Sequence, residues 1–255
     1  FFSHRSHMKF SVLLLAITLL FGTAHCEVLM ETSFDLNPEQ DTASASAAIT
    51  SFLENSNLKW IRYFHILITG RPGTVPMRTA HFMFKDMAAW GAFEQENLEK
   101  THSLHDNNWI NSRRTLWVVQ PSLVDFSEKT RTEAARGGFM YVLQYSVAPG
   151  KETQFATRYQ RGLQSFALEL KKNEGFVESR QYSAEHFQSS FTHMTTYEFV
   201  DMPSLVEAMH GDYYTSLIES VKQHLGDYAV TILSPGPDDG AALFWTAAGA
   251  DKEEL

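Results

Sequence analysis

The chain repeats itself, and this self-similarity limits its folds more than any other feature. Phe84-Lys85-Asp86-Met87 recurs as Phe199-Val200-Asp201-Met202, 115 residues later. Leu29 and its strand find a counterpart around Leu143, and Gln120-Pro121 finds one at Ser234-Pro235, both at an offset of 114. Single short matches arise by chance, but three in the same order at nearly constant spacing imply two copies of one unit of roughly 95 to 100 residues. A unit of that length holds its own core, so the repetition reads as tandem domain duplication and not as a solenoid.

In the first copy, Val28 to Phe34 alternates as a half-buried strand. Asn37-Pro38 then offers a helix N-cap and an N1 proline. Ala45, Ala48, Ile49, Phe52 and Leu53 fall on one helical stripe. Trp60 to Ile68 and Thr79 to Phe84 are strands around an Arg71-Pro72-Gly73 turn, Asp86 caps a second helix, and Thr115 to Val119 closes the unit. The second copy follows the same order. Phe139 to Val147 is a strand, and a long helix carries Phe155, Tyr159, Leu163, Phe166 and Leu170. Phe176 to Tyr182 and Phe191 to Phe199 are strands, Asp201 caps a helix through Leu205 and Met209, and Tyr228 to Leu233 is the last strand.

Each copy therefore reads β-α-β-β-α-β, the ferredoxin-like order. The expected fold class is α+β, with two tandem ferredoxin-like (βαββαβ) repeats forming an intramolecular dimeric α/β-barrel. Helices on one sheet face leave the other face to be covered, and the twin sheet is the natural cover. The expected divisions are 1–26 for upstream residues and a leader, 27–121 for repeat 1, 122–138 for a polar linker, 139–235 for repeat 2 and 236–255 for a flexible tail.

The leader is Met8-Lys9-Phe10 followed by an apolar run from Ser11 to Phe21, with Ala24-His25-Cys26 as the cleavage site. About a dozen apolar positions fit a signal-peptide core, whereas about 20 are needed to span a bilayer. The alternative is a buried hydrophobic helix. Cleavage before Glu27 leaves 229 of the 255 residues and, with Arg5 and Lys9 gone, takes the net charge from −9 to −11. The chain ends Lys252-Glu253-Glu254-Leu255, similar to the Lys-Asp-Glu-Leu class of retrieval signals, so the endoplasmic reticulum lumen is the expected location and the retrieval receptor an expected partner. With 21 Lys+Arg against 30 Asp+Glu there is no basic field, and nucleic acid is not expected as a partner. One cysteine excludes a disulfide framework, a Cys-rich zinc site and an Fe–S cluster. No transmembrane helix is expected in the mature protein.

Copy two carries a family resemblance. Its first strand ends in Val147-Ala148-Pro149-Gly150-Lys151-Glu152, Gly175-Phe176 opens the second, and Tyr197-Glu198-Phe199-Val200-Asp201 ends the third. Leu205-Val206-Glu207-Ala208-Met209-His210 follows. In these features the chain resembles the dimeric α+β barrel superfamily, and in particular antibiotic-biosynthesis-monooxygenase (ABM)-like domains. The resemblance covers most of copy two and, more faintly, copy one. It implies helices outside a barrel and an apolar pocket between sheet and helices in each copy. Relatives of this kind include cofactor-free oxygenases of aromatic substrates, heme-degrading monooxygenases, polyketide cyclases and proteins without known catalysis. His210 matches a position where such domains often carry a histidine, whereas copy one has Gln95 to Asn97 there.

His210 is accordingly the candidate general base, since an ordinary imidazole titrates near neutrality. Tyr213 and Tyr214 beside it are candidate catalytic hydroxyls, and Tyr63, His65, Tyr197 and Phe199 are candidate substrate contacts. A surface histidine at a helix end is the plainer reading of His210. His81 and His193 both lie on third strands but out of repeat register. His102 and His105 have the spacing of two metal ligands but no third is identifiable, so no metal is expected. No cofactor is expected either; heme, with His210 as axial ligand, is the alternative that the resemblance leaves open. The expected function is a lumenal, cofactor-independent oxygenase, cyclase or isomerase acting on a small apolar or aromatic ligand. The alternatives are a non-catalytic carrier of such a ligand and a structural pseudo-dimer.

Overall fold

The computed structural model describes residues 26–37, 51–52, 55–69, 77–107, 109–121, 138–186, 190–235 and 244–246. In chain order the elements are β1 (Val28–Leu36), β2 (Leu58–Thr69), β3 (Arg78–Phe84), α1 (Met87–Asn107), β4 (Trp109–Gln120) and β5 (Phe139–Val147). Then come α2 (Glu152–Lys172), β6 (Phe176–His186), β7 (His193–Phe199), α3 (Met202–His210), α4 (Asp212–Val221), β8 (Leu225–Pro235) and a short β9 (Phe244–Thr246). The expected leader before Cys26, most of the expected helix around Ala45 to Leu53, nearly all of the expected linker and the expected retrieval signal at Lys252–Leu255 lie outside the described residues.

Local chemistry accounts for these elements. The repeated aspartates are helix caps: Asp86 Oδ1 accepts from the Ala89 amide and Asp201 Oδ1 from the Ser204 amide, both at 2.8 Å. The helical stripe Phe155, Tyr159, Leu163, Phe166 and Leu170 is buried along α2. Strand β4 begins six residues before the expected Thr115, at Trp109. Asn111 there takes a left-handed φ of 55°, a conformation asparagine tolerates, and its Nδ2 donates to Asp35 Oδ2 at 3.1 Å. The ladder to β1 slips between Ser33 and Asp35, so the polar run Asn111-Ser112-Arg113-Arg114 is a bulged strand and not a turn.

The antiparallel strands follow the order β3-β1-β4-β6-β7-β5-β8-β2, and β2 also pairs with β3, which closes eight strands into a barrel. The halves join through β4–β6 and β2–β8. Within its half, each set has one strand order, β2-β3-β1-β4 and β6-β7-β5-β8. A bulge recurs at corresponding places: Leu58 and Trp60 stand opposite Phe84 and Met83, as Phe176 and Glu178 stand opposite Phe199 and Glu198. The register corrects the expected match of Leu29 with Leu143. Leu29, opposite Met83 and Trp117, corresponds to Met140, opposite Glu198 and Leu233. Within the span expected to be a flexible tail, β9 pairs with Trp60–Arg62 of β2.

Strand alternation sorts side chains onto two faces. Inward residues, among them Leu29, Met83, Trp117, Met140, Val142 and Met194, form a filled barrel core. That core also holds charge. Arg62 Nη1 meets Glu198 Oε2 at 2.6 Å across the two halves, and buried Glu31 accepts from Trp117 Nε1 at 2.9 Å and Gln144 Nε2 at 3.1 Å. Outward residues pack beneath helices in two further cores, one per half.

Candidate functional site

The outward face of the second half has an unusual content of phenols. On β5 the alternation that turns Met140, Val142 and Gln144 inward turns Tyr141, Leu143 and Tyr145 toward the helices. Tyr159 descends from α2, Tyr197 rises from β7, and Tyr214 joins Leu217 and Val221 on the buried side of α4. Tyr214 donates to Tyr141 Oη at 2.9 Å, and their rings meet edge to face with centroids 5.5 Å apart. Phe166 of α2 packs on both Tyr214 and Tyr197, at 5.2 and 5.5 Å between centroids. Tyr159 Oη and Thr195 Oγ1 are 3.0 Å apart.

Burial is the main electrostatic influence here. It pushes the Tyr145, Tyr197 and Tyr214 phenols well above the ordinary tyrosine value, with repulsion from neighbouring phenols adding to it. The same cause raises Tyr141 and Tyr159, opposed in each by hydrogen bonding. His193 stacks on Tyr145 at 5.2 Å, and burial lowers its basicity. The cluster is therefore neutral at physiological pH. Its phenols supply hydrogen-bond donors and no base.

One part of it reaches solvent. A cleft of about 210 Å³ opens between β5, β8, α3 and α4, and its lining includes Tyr141, Tyr214, Met209, Glu219 and Tyr228. Because Tyr141 accepts from Tyr214, its own hydroxyl proton is left to donate elsewhere, and the cleft lies beside it.

The candidate residues separate in this arrangement. Tyr197, Phe199 and Tyr214 share one core, whereas Tyr63 is buried in the other half beside Phe34, and His65 packs edge-on to it. His210 ends α3, exposed, and lines neither the Tyr141 cleft nor the two grooves that border α2 and α4. Tyr213 is 48% exposed and points away from the core that Tyr214 joins. The expected facing of His210 and Tyr213 into the pocket is not met, because a helical turn sends neighbouring residues to different sides. The residue missed by the sequence reading is Tyr141. Its signal was present in the Tyr141/Tyr145 alternation on β5.

A heme on His210 does not fit this arrangement. The imidazole faces solvent and lines neither the Tyr141 cleft nor the groove of about 680 Å³ beside Gly211 and Asp212, whose other lining residues include Glu169, Glu174 and Glu207. Among the described residues no three His, Cys, Asp or Glu side chains are grouped to hold a metal. The side chains of His102 and His105 lie outside the described residues. No helix among the described residues is long and apolar enough to cross a membrane.

No family model matches the chain, and no curated protein matches it. Solved structures do. An anthrone oxidase-like protein aligns over 92% of this chain and 98% of its own, with a TM-score of 0.60 and 10% identity. A candidate monooxygenase of Fusobacterium nucleatum aligns over 83% of this chain and 93% of its own, with a TM-score of 0.57 and 13% identity. Chlorite dismutase from Candidatus Nitrospira defluvii aligns over 86% and 95%, with a TM-score of 0.50 and 9% identity. What these proteins share with this chain is the mixed α+β barrel fold.

Proposed function

We propose that the chain is a lumenal small-molecule enzyme of the ABM-like type, built from two copies of a ferredoxin-like module and acting without a cofactor. The common strand order of the halves, their corresponding bulges and their paired aspartate caps support the duplication. The substrate is a one- or two-ring ketone or phenol, as the size and apolar lining of the cleft and the anthrone oxidase-like neighbour suggest. The observation that carries the reading is the Tyr214–Tyr141 hydrogen bond, which leaves the hydroxyl proton of Tyr141 free to donate on a residue that lines an open cleft. A donor fixed in a partly dry site stabilises negative charge developing on a substrate oxygen as a neighbouring C–H proton leaves. Glu219, on the rim, is the group available to take that proton, in place of His210.

The test is hydrogen–deuterium exchange, at the carbon beside the carbonyl of ketones and ortho to the hydroxyl of phenols, followed by NMR for a panel of such molecules with the full chain. Tyr141→Phe is expected to slow exchange by about 10²-fold and His210→Ala to leave it within a few fold. An unchanged rate in Tyr141→Phe, or no exchange with any member of the panel, ends the enzymatic reading. A second reading, a non-catalytic carrier, draws on the ion pair of Glu219 with Lys222 and on the lack of histidine among the cleft-lining residues described. Binding of the panel without exchange would favour it.

A further inference from the structure

On the outer surface, away from the phenol cluster, α2 and α4 enclose a groove of about 630 Å³. Its floor exists because Gly162 has no side chain: a Cβ there would stand 2.6 Å from Leu217 Cδ1, so the two helices meet closely at this point. Above the floor, α2 presents Arg158 and Arg161, and α4 presents Ser216 and the half-exposed Tyr213 ring.

The charge pattern of this groove differs from the rest of the molecule. Arg62, Arg114 and Arg180 each hold a carboxylate. Arg158 and Arg161 have no partner among the described residues, although the chain carries 30 acidic residues against 21 basic ones. No described carboxylate lines the groove. At the other end of the same helices, a second groove gathers Glu169, Glu174, Glu207 and Asp212, with Lys172 as its basic residue. The acids are therefore collected at one end and two guanidinium groups, three residues apart on one helix face, are left uncompensated at the other.

We propose that the α2–α4 groove binds a small organic carboxylate with an apolar body. The anionic head lies between Arg158 and Arg161, whose planar forks match a carboxylate, and the Thr153 and Ser216 hydroxyls stand on the same walls. The body rests on Leu217 and the Tyr213 ring. An organic carboxylate fits better than inorganic phosphate, because Leu217 and the Tyr213 ring set an apolar surface beside the two guanidinium groups. This site is separate from the Tyr141 cleft and does not depend on the reading of that cleft.

The test uses 4-phenylbutanoate and its neutral amide, titrated into the full chain by NMR and calorimetry, with inorganic phosphate as a third probe. The carboxylate is expected to bind and to shift the amides of Thr157 and Ser216, with the neutral amide and phosphate each at least about tenfold weaker. The double variant Arg158→Gln/Arg161→Gln, both exposed positions, is expected to keep its fold and lose at least about tenfold in affinity, whereas Tyr141→Phe leaves binding unchanged. Equal affinity for acid and amide, tighter binding of phosphate alone, unchanged affinity in the double variant, or no binding at all would overturn the proposal.

Discussion

A side chain's function in this molecule follows from which way it points, and the phenols show this most directly. Tyr213 and Tyr214 are neighbours in sequence, yet one is 48% and the other 5% exposed. The buried phenols also set a pH limit on the fold. Unfolded tyrosines ionise near pH 10. Burial raises Tyr145, Tyr197 and Tyr214 well above that, and Tyr182 is pushed up to about 12, chiefly by desolvation in the barrel. Above about pH 10 the unfolded chain releases protons that the folded chain keeps. Their contribution to stability is thus whole below that pH and is lost as the pH rises through the folded values. Urea midpoints measured from pH 8 upward are expected to hold until about pH 10 and then to fall. A tyrosinate absorbance titration in which every phenol ionises near pH 10 with the fold intact would contradict this.

At the scale of elements, the recurring Phe-x-Asp-Met motif was readable because a strand end and a helix cap together demand particular residues. Phe84 and Phe199 end third strands, and Asp86 and Asp201 cap the helices that follow. The first strands offered no such anchor. Both alternate apolar residues, so a slip of three positions in matching Leu29 went unseen, though it exchanges the inward and outward faces. The early start of β4 was equally hidden, since Asn111 to Arg114 is a turn-like run held as strand by the β1 ladder and by Trp109 stacked on Phe34 at 4.2 Å. Gly138 illustrates an element junction with no free space: a Cβ there would stand 1.9 Å from the backbone oxygen of Phe199. Phe199 pairs with both β5 and β6 and cannot withdraw. Gly138→Ala is expected to destabilise by about 1–3 kcal/mol in urea unfolding, and an unchanged midpoint would show that the junction yields.

For the whole molecule, the decisive contact is the bridge between halves inside the barrel. Arg62 is 5% and Glu198 1% exposed, and they come from β2 and β7, which are not sheet neighbours. Removing one partner breaks a buried ion pair, so Arg62→Met is expected to cost about 3–5 kcal/mol. Replacing both, as Arg62→Met with Glu198→Leu, is expected to recover most of that loss. A double-mutant cycle by urea unfolding measures the coupling. Additive losses would show that the bridge does not join the halves energetically.

From residue order alone, the periods of two and 3.6, the aspartate caps and the glycine and proline breaks determined the α+β class, the order of elements and most strand positions, since these depend on neighbours along the chain. The tertiary structure decided the closing of eight strands into one barrel, the charged pair inside it and the cleft beneath Tyr141. Each of these depends on residues far apart in sequence meeting on one face. It likewise turned His210 to solvent and Tyr141 to the cleft, because the facing of a side chain is set by how its helix or strand seats on the core, and that seating has no local signature.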